Sequence, residues 1–265
     1  MQDRPAWVPD DVDITRPSVA RVYDYYLGGS HNFAADREFA REVIAVMPDM
    51  PRVAQENRAF LRRAVRHLCE AGVDQFLDLG SGIPTAGSVH EVAPDATVVY
   101  VDHDPVAVTH SRTLLAGQDR VVVAAADLRD PDAVLADPIV SATLDTSRPV
   151  AVLLVSVLHF VADDRDPAGF IARYLRDLPA GSHLVLSHAT AESRPGAADA
   201  QALYNRSRSP QGMRMRSRAE VEALFDGVRL LEPGVVRIPH WRPESPDDVP
   251  ADVDSYPGFA GVGRV

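Results

Sequence analysis

The stretch FLDLGSGIPT, Phe76 to Thr85, decides the fold. An apolar run ends in an acid, Asp78. Two glycines one residue apart follow, Gly80 and Gly82, and Pro84 stands where it can open a helix. This is the pattern of a buried parallel strand turning sharply into a helix. The glycines let the backbone approach a ligand because no Cβ stands in the way. Twenty-four residues after Asp78 a second apolar run, TVVYVD, ends in Asp102, and twenty-five residues further on VVVAAADL closes a third run with Asp127. Three successive strands that end in acids predict a nucleoside site on the carboxyl edge of a parallel sheet.

The details of the loop narrow the ligand. A dinucleotide fingerprint GxGxxG needs glycine at position 85, where Thr85 stands, so the pyrophosphate reading fails at its third glycine. The acid-x-G-x-G order resembles instead the loop of S-adenosylmethionine-dependent methyltransferases. That cofactor has no phosphate and carries an α-amino acid tail, so an acid inside the loop is useful rather than repulsive. In this reading Asp78 accepts a hydrogen bond from the ammonium group, Asp102 grips both ribose hydroxyls, and Asp127 accepts from the exocyclic amine of adenine. Gly80, Ser81 and Gly82 of the loop, with His103 and Leu128 beside the second and third acids, complete the predicted cofactor cradle. The usual loop has a third glycine where this chain has Pro84. The departure is mild, because proline is favoured at the first helical position and needs no amide there. A glycine-containing turn in another doubly wound fold is the plainer alternative.

Composition excludes much else. The chain has 265 residues, 46% of them hydrophobic, which suits one large α/β core. Its net charge is −11, from 38 acids against 27 bases, and every base is arginine because no lysine occurs. Without lysine there is no Schiff-base enzyme, no phosphate-loop nucleotidase and no dehydrogenase built on a Tyr-x-x-x-Lys pair. Cys69 is alone, so neither an intramolecular disulfide nor a multi-cysteine zinc site is expected. No apolar run approaches the roughly eighteen residues of a membrane helix, and the opening MQDRPAWVPDDVD lacks the pattern of a signal peptide. The expected setting is cytoplasmic, with no membrane partner. An acidic chain without a clustered basic segment also lacks the footprint for nucleic acid.

The elements follow from the periodicity of the apolar residues. Residues 1 to about 14 are acidic and proline-broken, and are expected to drape over the surface. PSVARVYDYYLGG reads as a short helix stopped by Gly28 and Gly29, AADREFAREVIAVM as a second, and a third runs from about Pro51 to Gly72. Strands are expected near 75–79, 97–102, 121–126, 150–156, 183–188, 228–232 and 258–263, with helices between most of them. This alternation predicts a seven-stranded, mostly parallel sheet covered on both faces. The last two runs are joined by a proline- and acid-rich loop, and a return without a helical crossover must be antiparallel. The whole chain is read as one domain, with residues 1–72 a helical cap over a cofactor-binding sheet of residues 73–265.

Two further stretches bear on chemistry. YDYYLGGSHNFAAD packs three tyrosines, two glycines and Asn32 into fourteen residues. Tyrosine rings attract a cation such as a sulfonium by about 0.5–2 kcal/mol, so Tyr23, Tyr26 and Asn32 are candidates for a lid over the cofactor and substrate. One buried tyrosine on a glycine-capped helix is the structural alternative. Arg58, on the third helix, is placed to fork onto the cofactor carboxylate. After the fourth strand comes VSVLHF, where backbone at Ser156 meets the cofactor and His159 stands nearer the methyl group. The Asn/Asp-Pro-Pro-aromatic motif of amino-group methyltransferases is absent here. His159 either takes a proton from a hydroxyl acceptor, an effect of roughly 10²–10⁴-fold, or serves as a wall of the pocket. His183 and His188 have the spacing of opposite strand faces, and no metal site is expected. The arginines of RSRSPQGMRMRSR are either a solvated loop and helix start or a site for an anionic acceptor.

Taken together, RVYDYYLGGSHNFAADRE, QENRAFLRRAVRHL, FLDLGSGIPT, YVDHDPVAVTHSRTLL, ADLRDPDAVL, RPVAVLLVSVLHFV, LVLSHAT, RSRAEVEALFDG, EPGVVRIPHWRP and GVGRV resemble an actinobacterial family of S-adenosylmethionine-dependent methyltransferases formerly classed as a domain of unknown function. The likeness spans nearly the full length. It implies a class I, Rossmann-like methyltransferase sheet with an antiparallel last strand, and S-adenosylmethionine as cofactor. It names no acceptor. Two functions stay open: methylation of a small molecule at oxygen, or binding of the cofactor by a regulator without transfer activity.

Overall fold

A computed structural model of the chain describes residues 13–85, 87–207 and 212–265. The expected surface drape of residues 1 to about 14 falls, up to residue 12, outside the described residues. Three helices come first: α1 (Val19–Tyr26), α2 (Ala34–Val46) and α3 (Met50–Glu70). The alternation follows as β1 (Gln75–Leu79), α4 (Val89–Val92), β2 (Thr97–Asp102), α5 (Pro105–Leu114), β3 (Val121–Ala125), α6 (Pro131–Ala136), α7 (Pro138–Thr143) and β4 (Ala151–Val155). It continues through α8 (Pro167–Leu175), β5 (His183–Ala189), α9 (Ala197–Arg206), α10 (Arg218–Ala223), β6 (Arg229–Leu230), β7 (Val236–Arg237) and β8 (Gly258–Arg264). Local chemistry sets several starts. Pro51 sits in the first turn of α3, and the Asp104 carboxylate caps α5 by accepting from the Val106 amide at 2.8 Å.

The sheet order is β3-β2-β1-β4-β5-β8-β6, with β7 also paired to β8. Strands β1 to β5 are parallel, and β8 runs antiparallel to β5, β6 and β7. The open sheet of mostly parallel strands with an antiparallel edge is therefore as the sequence predicts. The single strand expected near 228–232 is instead divided, giving eight strands among the described residues. Arg229 and Leu230 pair with Arg264 and Gly263, whereas Val236 and Arg237 pair with Ala260 and Phe259. Between them stand Pro233, which has no amide to donate, and Gly234 at φ +83°. They bend one edge strand into two pieces.

Side chains at helical spacing on α3, Phe60, Leu61, Ala64 and Leu68, pack one face of the sheet through Phe76, Val98 and Leu153. The opposite face, with Leu77, Leu79 and Leu154, is covered by Phe170 and Tyr174 of α8 and Val221 of α10. Fully burying each such leucine contributes about 1.5–3 kcal/mol. A third apolar cluster joins α1, α2 and α9 through Val22, Phe39, Val43, Ala197 and Tyr204. The cap read as residues 1–72 is thus split between two layers. Helix α3 belongs to the packing of the sheet, while α1 and α2 lean on α9. Because β1 lies between β2 and β4, the chain order reverses there and leaves a crevice at the carboxyl ends of the strands.

Candidate active site

A cavity opens at that crevice. It encloses about 1770 Å³ counting its open mouth, and α1, α2, α3 and α9 roof it. Asp78, Gly80, Ser81, Gly82, Asp102, His103, Asp127, Leu128, Ser156, Arg58, His159, Tyr23 and Tyr26 all line it. Asn32 does not. Its side-chain amide is occupied in the turn between α1 and α2, donating to Asp24 Oδ2 at 2.8 Å and to the Gly29 carbonyl at 2.9 Å.

The glycine loop is held tightly at the polar end. The Gly80 and Ser81 amides both donate to the Val101 carbonyl, at 2.8 and 3.1 Å. Gly80 has φ +71°, and a Cβ there would meet Val157 Cγ2 at 2.3 Å, so no other residue fits. The Gly82 amide donates to Asp102 Oδ2 at 2.8 Å, and the Asp104 amide to Asp102 Oδ1 at 2.8 Å. Asp102 is thereby fixed in orientation with lone pairs still open to the cavity. Burial raises its carboxyl above the usual range, and the two amides oppose that shift.

Asp78 and Arg58 face one another across this end. Burial pushes the Asp78 carboxyl up to about 7; the Arg58 guanidinium lowers it and Asp102 adds to the rise. Arg58 Nε is buried without a hydrogen-bond partner, and its guanidinium carbon lies 6.0 Å from the centre of the Tyr23 ring. Asp127 sits further out. Its carboxylate accepts from the Arg129 amide and from Arg129 Nε, both at 2.9 Å, and these bonds hold its pKa below the usual value. Any adenine amine at Asp127 must share it with Arg129.

Ser156, just past β4, has φ +56°, a left-handed conformation that costs a non-glycine residue. Its amide donates to the Ser187 hydroxyl oxygen at 2.9 Å. That hydroxyl donates to Asn57 Oδ1 at 2.6 Å, the Asn57 amide donates to the Tyr23 hydroxyl at 2.9 Å, and Tyr23 donates to the Ala54 carbonyl at 3.2 Å. A chain of bonds therefore runs from the end of β4 through β5 and α3 to α1. Asn57 and Ser187 carried no signal in the sequence: Asn57 is one of four consecutive polar residues, Gln55 to Arg58, and Ser187 stands beside His188, so nothing marks either as the one that turns inward.

The far end of the cavity has a different chemistry. His159 lies in a short turn, with its ring centre 4.4 Å from that of Phe160 and 5.6 Å from that of His188. Burial, then His188 and Arg216, hold its pKa well below the ordinary value, and its Nδ1 is buried without a hydrogen-bond partner. His188 has a fixed tautomer. Its Nδ1 donates to the Ala189 carbonyl at 2.8 Å, which leaves Nε2 to accept from Arg216 Nη1 at 2.7 Å. Burial lowers the His188 pKa to about 4. Arg216 also donates to the carbonyls of Leu158 and Val161, both at 3.0 Å, and to Asp163 Oδ1 at 2.7 Å. Among the described residues, the arginine run is therefore not purely a solvated loop. Arg216 is a buried brace beneath the His159 turn, Arg214 pairs with Asp163 and Glu220, and Arg208 lies outside the described residues. Tyr26 and Tyr204 place their hydroxyls 3.3 Å apart, and burial raises both, Tyr204 to about 12.

An acid-braced glycine loop at a parallel-sheet switch point, with a buried acid and a buried arginine beside it, fits one family. The model of S-adenosyl methyltransferases matches residues 5–265. The chain belongs to the S-adenosyl methyltransferase family. Its cofactor is S-adenosylmethionine. A protein from Thermobifida fusca described as a candidate methyltransferase is 39% identical, with a TM-score of 0.89 over 98% of both chains. A DUF574 family protein from Streptomyces avermitilis is 37% identical, with a TM-score of 0.88 over 95% of this chain and 99% of that one. The mitomycin 7-O-methyltransferase MmcR, at 17% identity and a TM-score of 0.53 over 85% of this chain and 57% of its own, shares the fold alone. No curated protein matches. The family resemblance read from the sequence is therefore borne out. Among the described residues, no helix of this S-adenosyl methyltransferase is long and apolar enough to cross a membrane.

The cavity passes a test of fit for the cofactor. Its amino acid tail carries an ammonium and a carboxylate, and the polar end of the cavity offers one buried acid and one buried, unpartnered guanidinium nitrogen.

Proposed function

We propose that this enzyme methylates a hydroxyl oxygen of a small molecule. The observation that supports this best is His159, a buried neutral imidazole that lines the same cavity as the glycine loop and whose Nδ1 has no hydrogen-bond partner. When bound, S-adenosylmethionine supplies a methyl group activated by its sulfonium. In this reading Asp78 holds the ammonium, Arg58 forks onto the carboxylate, Asp102 takes the ribose hydroxyls, and Asp127 with Leu128 borders the adenine. Ser81 and His103 flank the cradle. The Tyr23–Asn57–Ser187 chain of bonds keeps α1 seated and Ser156 in its strained conformation. His159 Nδ1 receives the proton that the acceptor hydroxyl must lose, and a neutral imidazole is the form able to do so. Positioning in a dry cavity supplies much of the remaining acceleration, up to about 7–11 kcal/mol.

The test is transfer from methyl-labelled cofactor, using the full chain with host metabolite extract and with separate pools of small phenols, carboxylic acids and amines. Label in a product stable to mild base supports an ether and hence oxygen transfer. Label confined to amines, or lost in mild base as from an ester, refutes it.

A further inference from the structure

The sequence has five methionines, and Met47, Met50, Met213 and Met215 line the cavity. They come from the end of α2, the start of α3 and the segment leading to α10, so this clustering is produced by folding and not by a local repeat. Between them stand aromatic rings. Phe160 lies 5.5 Å from Tyr204, and His159 lies 4.4 Å from Phe160. The imidazole thus borders a soft, apolar chamber. Thioethers are polarisable and conform to irregular shapes, and their sulfurs favour the edges of aromatic rings. A row of Tyr204, Phe160 and His159 offers π-surface for a flat partner.

Charge is arranged to match. The cationic group nearest His159 and His188, Arg216, is bonded to His188, to two carbonyls and to Asp163, so it has little capacity left for an anionic ligand. Arg58 stands at the other end, beside Asp78. The tyrosine pair is kept neutral by burial. With the uncharged-sulfur product S-adenosylhomocysteine bound, an anion entering the chamber would lose its hydration without gaining a counter-charge from the described residues beside His159.

We infer that the acceptor is an uncharged planar aromatic hydroxyl compound, seated on the methionine and aromatic walls of this chamber. The inference rests on the transfer reading above, and binding measurements separate the two. The probes are 2-naphthol, its carboxylate analogue 2-naphthoate and its saturated analogue decahydro-2-naphthol, titrated by calorimetry into the full chain saturated with S-adenosylhomocysteine. 2-Naphthol should bind at least about tenfold more tightly than 2-naphthoate, because the described residues of the chamber offer no free counter-charge. It should also bind more tightly than decahydro-2-naphthol. The pair Met213→Leu and Met215→Leu keeps volume but removes sulfur, and should weaken 2-naphthol by about two- to tenfold while leaving the saturated analogue unchanged. A thermal unfolding curve checks that the double variant is folded, and Met47→Leu provides a second, independent removal of sulfur. Equal or tighter binding of 2-naphthoate, no preference for the flat ring, or no binding of 2-naphthol overturns the inference. If 2-naphthol binds as stated and no phenol is methylated, the chamber stands and oxygen transfer falls. If hydroxyl compounds are methylated without preference for flat rings, the reverse holds.

Discussion

Titrating the protein from about pH 7.5 to about pH 6 passes through the ionisation of Asp78, whose carboxyl burial pushes up to about 7. To pair with the cofactor's ammonium the carboxyl must be charged, so below that point binding has to expel a proton first. With a pKa near 7 the charged fraction is about 0.76 at pH 7.5 and about 0.09 at pH 6, a ratio of about eight. That corresponds to about 1.2 kcal/mol of lost affinity for S-adenosylhomocysteine over the window. The charged neighbours that bear on Asp78 are Arg58 from α3 and Asp102 from β2. His188, at about 4, and His159, held well below its ordinary value, stay neutral throughout the window and contribute nothing to the slope. Calorimetry at each pH, in two buffers with different heats of ionisation, reads both the affinity and the proton released. Asp78→Asn should bind more weakly at pH 7.5 and lose the pH dependence. A flat profile in the native protein, or an unchanged slope in Asp78→Asn, would refute the assignment of Asp78 to the ammonium.

The same carboxyl acts on stability. Its folded pKa of about 7 lies above the ordinary 3.8, so the folded chain keeps a proton that the unfolded chain has lost, and stability falls as pH rises between those values. Asp78→Asn should therefore melt at a higher temperature than the native chain above pH 7, with the difference shrinking toward pH 4; scanning calorimetry checks it. Asp102→Ala should weaken S-adenosylhomocysteine by about 1.5–3 kcal/mol for each charge-assisted bond lost, and unchanged affinity, or NADH binding of equal strength, would overturn the ribose assignment. His159→Ala should cut turnover by roughly 10²-fold or more with cofactor affinity nearly intact, whereas a small loss independent of pH would make His159 a wall. Deleting residues 1–30 removes α1 and its Tyr23–Asn57 bond, so cofactor binding should weaken while far-ultraviolet circular dichroism is retained; equal binding would end the cap reading.

The cofactor end of the site was legible because its signals are local. Each acid closes its own apolar run, and the two glycines, Gly80 and Gly82, mark the sharp turn within the ten residues from Phe76 to Thr85, although the contacts that hold Gly80, at Val101 and Val157, are remote in the chain. The chamber was not legible. Met47 and Met215 are far apart in the chain, and an isolated methionine in an apolar pattern reads as core. Arg216 resembled its neighbours Arg214 and Arg218, because charge alone does not reveal which member of a run turns inward. Asn32 looked like a lid residue, but a polar amide beside two glycines serves equally well to close a turn, and here Asp24 and Gly29 claim it. The divided edge strand had a signal, Pro233 followed by Gly234, that ranks above the apolar run around it.

The two ends of the cavity are built on different parts of the fold, and this has a functional consequence. The polar end rests on the ends of β1, β2 and β4 and on α3, all locked into the two large apolar clusters. There the protein tolerates features that cost stability: a buried acid, an unpartnered arginine nitrogen and a left-handed serine. Rigid packing is what holds such groups in place until a ligand compensates them. The apolar end is walled by α1, α2, α9 and the methionine-bearing segment before α10, which form a separate cluster. Met213 and Met215 stand outside the Tyr23–Asn57–Ser187 chain of bonds, so substitutions at these two positions should alter the shape of the chamber with little effect on cofactor affinity. A fold divided in this way can change its acceptor while its methyl donor stays the same.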